Sequence, residues 1–359
     1  MTLITRRTLI RTGAAAATLP LLGARGFAAD GPLKVGFVYV GPVGDFGYSF
    51  AHDQGRKEAE AKFGDKIKTT YVENVAEGPD AERVIKNLAD DGNQLIFTCS
   101  FGFMNPTIKV AKRFPKVMFE HCSGYQRAKN VATYNARFYE GRAVCGTIAG
   151  HMSKSGVAGY IASFPIPEVV SGINAFTLAA RKVNPDFKTS VVWVSSWYDP
   201  AKEADAAKAL FDQGADVIAQ HTDSPAALQA AEQRGLWAFG QAWDMSSFAP
   251  KAHLTAIQND WGVYYIERIQ LMLDGKWEST DSWWGFKEGM LKMAPFNPAI
   301  PADTVAAAKE TEAGIVDGSA PAFAGPITDR DGKERAPAGQ TLDDATVLKM
   351  DWFVEGVQG

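Results

Sequence analysis

A chain of 359 residues, 46% apolar and 22% charged, is long enough for two domains of ordinary size and too polar for a bundle of membrane spans. Its formal net charge of −4, with no run of lysine and arginine, argues against a phosphate-binding face and so against a nucleic-acid partner. Cys99, Cys122 and Cys145 and the five scattered histidines lack CxxC or HExxH spacing, so neither a metal site nor a cofactor is expected.

The first segment, Thr5-Arg6-Arg7-Thr8-Leu9-Ile10, leads into an apolar run at 13–22 and a small-residue exit, Gly26-Phe27-Ala28-Ala29. That order reads as a twin-arginine-type export signal over residues 1–28, which places the mature protein in the periplasm. The apolar run is too short to span a bilayer, so no stable membrane insertion is expected. Loss of Arg6, Arg7, Arg11 and Arg25 with the signal moves the formal charge from −4 to −8. An odd number of cysteines in an oxidising compartment allows at most one bridged pair.

Residues 33–63 read as an apolar strand, a glycine-rich turn (GPVGDFGYS, 41–49) and a helix. A strand at 68–72, a helix at 79–90, an apolar strand at 94–99, a helix at 105–113 and a strand at 117–120 continue the alternation. After a helical segment at 141–151, strands at 156–162, 189–194, 217–219 and 237–240 alternate with helices at 167–183, 201–212 and 225–234. This is an α/β pattern of two doubly wound parallel-sheet lobes. A crossing strand at 254–257, an amphipathic helix at 262–273 and an aromatic-rich stretch at 281–293 follow. Residues 318–339 are dense in Gly and Pro and should be irregular, 343–357 should be helical, and 318–359 should wrap one lobe. The lobes are expected at 31–154 plus about 259–278, and at 155–258 plus about 279–317, with a hinge near 154–156 and 255–258.

The strands end in aromatic and polar residues. In the first series these are Asp45-Phe46-Gly47-Tyr48, Ser100-Phe101-Gly102-Phe103 and His121-Cys122-Ser123. In the second they are Pro167-Glu168, Ser195-Ser196-Trp197-Tyr198-Asp199, Thr222-Asp223-Ser224 and Gln241-Ala242-Trp243-Asp244. Ligands of open α/β sheets bind at this edge. Planar aromatics beside a few hydrogen-bonding groups suit a flat heterocycle, and base–aromatic stacking contributes about 1–3 kcal/mol per base. Enzyme signatures are weaker: Ser100 is outside any GxSxG elbow, and Glu168, Asp199, Asp223 and Asp244 have no spacing that defines an acid/base pair. Asp199 and Asp223, each ahead of a proline, read as helix caps, and Glu168 reads equally as a dipole-stabilising first-turn carboxylate or a ligand contact.

The ordered set GPVGDFGYS, FGF, FPIPEVVSGINAFTLAAR, WYDPAKE and the terminal MDWFVEGV resembles the basic-membrane-protein family of solute-binding proteins over residues 34–357. The resemblance implies a type I periplasmic-binding-protein fold, two lobes joined by a hinge, and a purine nucleoside or base held between them without catalysis. Carried onto this chain, it implies stacking by Tyr48 and Trp197, edge contacts from Glu168, His121 and Asp244, and a pocket shaped by Asp45, Phe46, Ser100, Phe101, Asn174 and Trp243. Where nucleoside-binding members resemble GxDxD, this chain has Gly240-Gln241-Ala242-Trp243-Asp244. Ala242 cannot accept ribose hydroxyls and Trp243 would fill their volume, so a free purine base or purine-like heterocycle is expected. The implied partners are that ligand and the inner-membrane permease of an ABC importer. The alternatives are a nucleoside receptor of the same family and an exported nucleoside hydrolase.

Overall fold

The structure is a computed structural model that describes residues 31–359, so the export signal expected at 1–28 lies outside the described residues. Strands β1 (Leu33–Tyr39), β2 (Ile67–Val72), β3 (Leu95–Cys99), β4 (Met118–Cys122) and β5 (Val131–Ala136) run parallel. With β11 (Asp281–Trp284) they form a six-stranded sheet ordered β11-β5-β4-β3-β1-β2. The helices α1 (Gly47–Phe63), α2 (Pro79–Asp90) and α3 (Met104–Ala111) make its crossovers. Every residue of β3 is buried, as a continuous apolar run in a covered parallel sheet requires.

The second sheet contains β6 (Val157–Ala162), β7 (Lys188–Trp193), β8 (Val217–Gln220), β9 (Trp237–Gly240), β10 (His253–Asn259), β12 (Leu291–Met293) and β15 (Val357–Gln358). Its order is β12-β10-β9-β8-β6-β7-β15, with β12 antiparallel to β10. Its helices include α4 (Phe138–Met152), α5 (Pro167–Val183), α6 (Pro200–Asp212) and α7 (Ala226–Arg234). In both sheets the first strand is flanked by the second and the third, so the order reverses at β1 and again at β6. Those two reversal points open crevices at the carboxyl ends of β1/β3 and β6/β8.

The assignment of segments to sheets departs from the sequence expectation in several places. The helix expected at 141–151 begins at Phe138 and packs on α5, in the second unit. Gly146 makes this approach possible, since a Cβ there would lie 2.2 Å from the Phe176 carbonyl oxygen. Strand β11 joins the first sheet beside β5, although 279–317 was expected in the second lobe. Strand β5 and the helix α9 (Ala302–Asp317) were not expected at all. Helix α8 (Gly262–Leu273) packs on α1, where a Cβ at Gly55 would lie 2.8 Å from the Gly262 nitrogen.

The chain therefore crosses between units after β5, after β10 and between β11 and β12. The hinge expected at 154–156 is instead a turn bound to Asp216, which accepts from Ser153 Oγ at 2.6 Å, Lys154 N at 2.7 Å and Ser155 N at 2.9 Å. Residues 255–258 lie inside β10, just ahead of the second crossing.

A hairpin of β13 (Ile327–Thr328) and β14 (Glu334–Ala336) precedes the last segment. The helix expected at 343–357 is only α10 (Asp344–Val347), after which the chain extends and β15 pairs with β7. Asn174 directs this path: its amide donates to the Trp352 carbonyl at 2.8 Å and accepts from Val354 N at 3.0 Å.

Among the described residues no helix is long and apolar enough to cross a membrane. The three cysteines are free and buried.

Candidate functional site

The site begins where β1 ends. Gly47, at φ 81°, opens α1 in a backbone conformation that favours glycine. It brings the Tyr48 N–H to Asp223 Oδ1 at 3.0 Å, so the start of α1 meets the loop after β8. The Tyr48 ring stands edge-on to His52 at 4.3 Å and to Trp261 at 6.0 Å, and its hydroxyl is buried without a protein partner. Phe46, beside it, packs edge-on against Phe248 of the second unit at 5.1 Å.

Non-glycine residues in the left-handed region mark three of the other strand ends: Ser123 at φ 66°, Ser195 at 52° and Ala242 at 61°. Such conformations cost about 1–3 kcal/mol each and persist where the surroundings enforce them, commonly at binding sites. They re-aim the loops after β4, β7 and β9 toward one space.

That space is a cavity between the two units, lined on one side by Tyr48, Ser100, Phe101 and Ser123 and on the other by Glu168, Trp197, His221, Asp223 and Gln241. Its atom-free space, mouth included, is about 400 Å³. A much wider cleft, about 1950 Å³ on the same measure, adjoins it, shares Phe101, Ser123 and Glu168 with it, and extends past Arg137 and Trp283 to Asp344.

The polar groups are held in fixed roles. Glu168 lies in the first turn of α5, accepts from Asn135 Nδ2 at 2.7 Å and faces His221 Nε2 at 3.3 Å. Burial acts to raise its pKa, but the bonds from His221 and Asn135 outweigh it and hold the carboxyl below its ordinary value. Burial pushes the His221 imidazole down despite Glu168, so at neutral pH a neutral ring donates Nε2–H to the carboxylate. Its Nδ1 is then a buried acceptor with no protein partner. Burial raises Asp223 to about 7, against the lowering effect of the Tyr48 N–H. Ser100 gives its hydroxyl proton to Glu77 at 2.5 Å.

Of the residues expected from sequence, Tyr48, Ser100, Phe101, Glu168 and Trp197 line this cavity. The rest are elsewhere. Asp45 is exposed, and Phe46 packs against Phe248 without lining the cavity. His121 pairs in register with Thr98, and the strand alternation turns both toward α3: His121 Nδ1 is 3.0 Å from Thr98 Oγ1, itself 2.9 Å from Thr107 Oγ1. Burial there lowers the imidazole to about 3, so it is a neutral core histidine. Asn174 fastens the C-terminal segment. Past the left-handed Ala242, Trp243 lies edge-on to Phe50 at 5.3 Å and Asp244 accepts from Ser246 N at 2.8 Å, both off the cavity wall. The ribose argument built on Ala242 and Trp243 therefore loses its footing.

Asp199 does cap α6, accepting from Lys202 N at 3.1 Å. Asp223 does not cap α7; it spans the cleft to Tyr48. Sequence reasoning left His221 and Gln241 without a role, although both follow strands whose ends were already singled out. No group of three or more His, Cys, Asp and Glu that could hold a metal occurs among the described residues.

The profile described as "ABC transporter substrate-binding protein PnrA-like" (Bmp) matches residues 33–319. The chain is 59% identical over 329 residues to a purine-binding protein of Brucella abortus, covering 92% of this chain and 94% of that one. It is 36% identical to a Haloferax volcanii protein whose name proposes a glucose-binding role in an ABC transporter, covering 91% and 81%. An ABC transporter solute-binding protein structure from Aeropyrum pernix superposes with a TM-score of 0.69 at 19% identity, over 88% of this chain and 95% of that one, a likeness of fold. The chain belongs to the Bmp family of PnrA-like ABC transporter substrate-binding proteins, solute receptors rather than enzymes.

Proposed function

We propose that this protein is a periplasmic receptor, exported by its twin-arginine segment, that closes on a purine base and delivers it to the permease of an ABC importer. The observation that carries this reading is the pairing, in one small interlobe cavity, of the aromatic rings of Tyr48, Phe101 and Trp197 with the edge groups of Glu168, His221, Asp223 and Gln241. Rings on the walls hold a planar heterocycle, and the polar groups pair with its ring nitrogens and exocyclic groups. The name of the Brucella relative supports the same ligand class. Titration calorimetry with adenine, guanine, hypoxanthine, their nucleosides and glucose tests it: bases should bind most tightly, and Trp197→Ala should weaken them at least tenfold. A Trp197→Ala protein with undiminished affinity for every purine would sink the stacking model.

The adjoining cleft favours one rival. A base seated beside Phe101, Ser123 and Glu168 could project a sugar into it, and nucleosides binding more tightly than bases would establish that use. Release of hypoxanthine from inosine in proportion to protein would overturn the receptor reading in favour of a hydrolase.

A further inference from the structure

Arg142 of α4 is fully buried. Its Nη2 donates to Gln241 Oε1, while Nε and Nη1 have no partner. The nearest aromatic support is the Tyr160 ring, 5.7 Å from the guanidinium carbon. A buried guanidinium so poorly paired costs stability rather than adding it. Its one side-chain bond leads to the cavity, because Gln241 is part of the cavity wall.

A guanidinium has donors only, so the atom that Gln241 turns toward Arg142 must be its oxygen. The carboxamide is planar, and its NH₂ then points away from Arg142. Glu168 is a carboxylate, His221 Nδ1 is an unpartnered acceptor and the Ser100 proton goes to Glu77, so on this wall the Gln241 amide joins only a few donors open to a ligand, the buried and unpartnered Tyr48 hydroxyl among them. A cation on the carbonyl end also polarises the amide and strengthens the N–H donors at the other end.

Resting on the reading of this cavity as the ligand site, we infer that Gln241 is a donor to the ligand and that Arg142 is the positioning residue that fixes and polarises it. The ligand then places a lone pair, an unprotonated ring nitrogen or a carbonyl oxygen, against the Gln241 amide. Specificity at this point is for an acceptor and against a C–H or N–H.

The test combines variants with ligand analogues. Gln241→Glu gives Arg142 a carboxylate and removes the donor, so the melting temperature should hold or rise while purine affinity falls at least tenfold. In the wild type, one of 1-, 3- and 7-deazaadenine should bind at least tenfold more weakly than adenine, and in Gln241→Glu and Arg142→Met that difference should shrink to within threefold. Arg142→Lys, which keeps an all-donor group, should restore the discrimination, a result that a merely structural role does not give. Gln241→Glu binding within twofold of wild type, or a deazaadenine penalty unchanged in both variants, overturns the inference. If the wild type binds glucose and no purine, the purine reading fails alone, and the effect of Gln241→Glu on glucose affinity decides the donor role. A wild type that binds none of these ligands removes both.

Discussion

The Tyr48 backbone N–H and the Asp223 carboxylate, 3.0 Å apart, join the first helix of one unit to a strand-end loop of the other. The contact is close enough to crowd a side chain at Gly47, where a Cβ would lie 3.1 Å from the Asp223 carbonyl oxygen and 3.2 Å from its Cβ. Gly47→Ala adds left-handed strain of about 1–2 kcal/mol to this crowding. Because the crowding exists only when the units meet, the substitution should bias the protein toward an open form. Ligand affinity by calorimetry should fall about tenfold, and the radius of gyration measured in solution with ligand at wild-type saturating concentration should rise toward that of the unliganded protein.

Asp223 makes closure dependent on pH. Its carboxyl is raised from 3.8 to about 7 by burial in the joined units. A raised folded-state pKa means that the closed form binds the proton more tightly than a solvated chain does. Its contribution is complete below the ordinary value and is lost as the pH rises through about 7. Asp223 is partly exposed, so solvent screening limits the effect to the order of 1 kcal/mol. Ligand affinity should decline between pH 5 and pH 8, and Asp223→Asn, uncharged throughout, should flatten that decline. A slope that survives in Asp223→Asn would assign the titration to another group.

The alternation of strands and helices was legible because it is local: apolar runs such as Leu95–Cys99 report burial on both faces. The short edge strand β11 was not, since Asp281–Trp284 is partly exposed and its place beside β5 is set by pairing 148 positions apart, from Thr133 to Asp281. The site divides in the same way. Strand ends identified the loops that reach the cavity, Tyr48 and Trp197 among them, but not which side chains face it. His121 points away because of its register with Thr98, and Trp243 because the chain turns at Ala242, and neither register nor a left-handed turn at alanine is visible in composition.

Asn174 separates a structural residue from a binding one. Its amide makes backbone bonds of 2.8 Å to Trp352 and 3.0 Å to Val354, and none of the three residues lines the cavity. Asn174→Ala removes both and leaves buried backbone groups unpaired, a loss of about 2–3 kcal/mol. The melting temperature should fall by several degrees and β15 should exchange its amide protons faster, while ligand affinity stays within twofold of wild type. A large affinity loss in a well-folded Asn174→Ala protein would return this residue to the binding site.

Glu168 titrates in the opposite sense to Asp223. Its lowered folded-state pKa means that its stabilising bonds are present above the ordinary carboxylate range and are lost only as the pH falls through the lowered value. Glu168→Gln keeps the shape but turns an amide N–H₂ toward one of two donors, Asn135 Nδ2 at 2.7 Å or His221 Nε2 at 3.3 Å. Asn135 is not free to reverse, because its Oδ1 already accepts from Ala136 N at 2.8 Å and Ser123 Oγ at 3.3 Å. His221 can accommodate by moving its proton to Nδ1, which converts the unpartnered acceptor in the cavity wall into a donor. The substitution should therefore cost only about 1–2 kcal/mol in stability yet change which ligands bind. Purines that donate at that position should lose at least tenfold in affinity, and ¹⁵N shifts of the His221 ring should report the switch of tautomer.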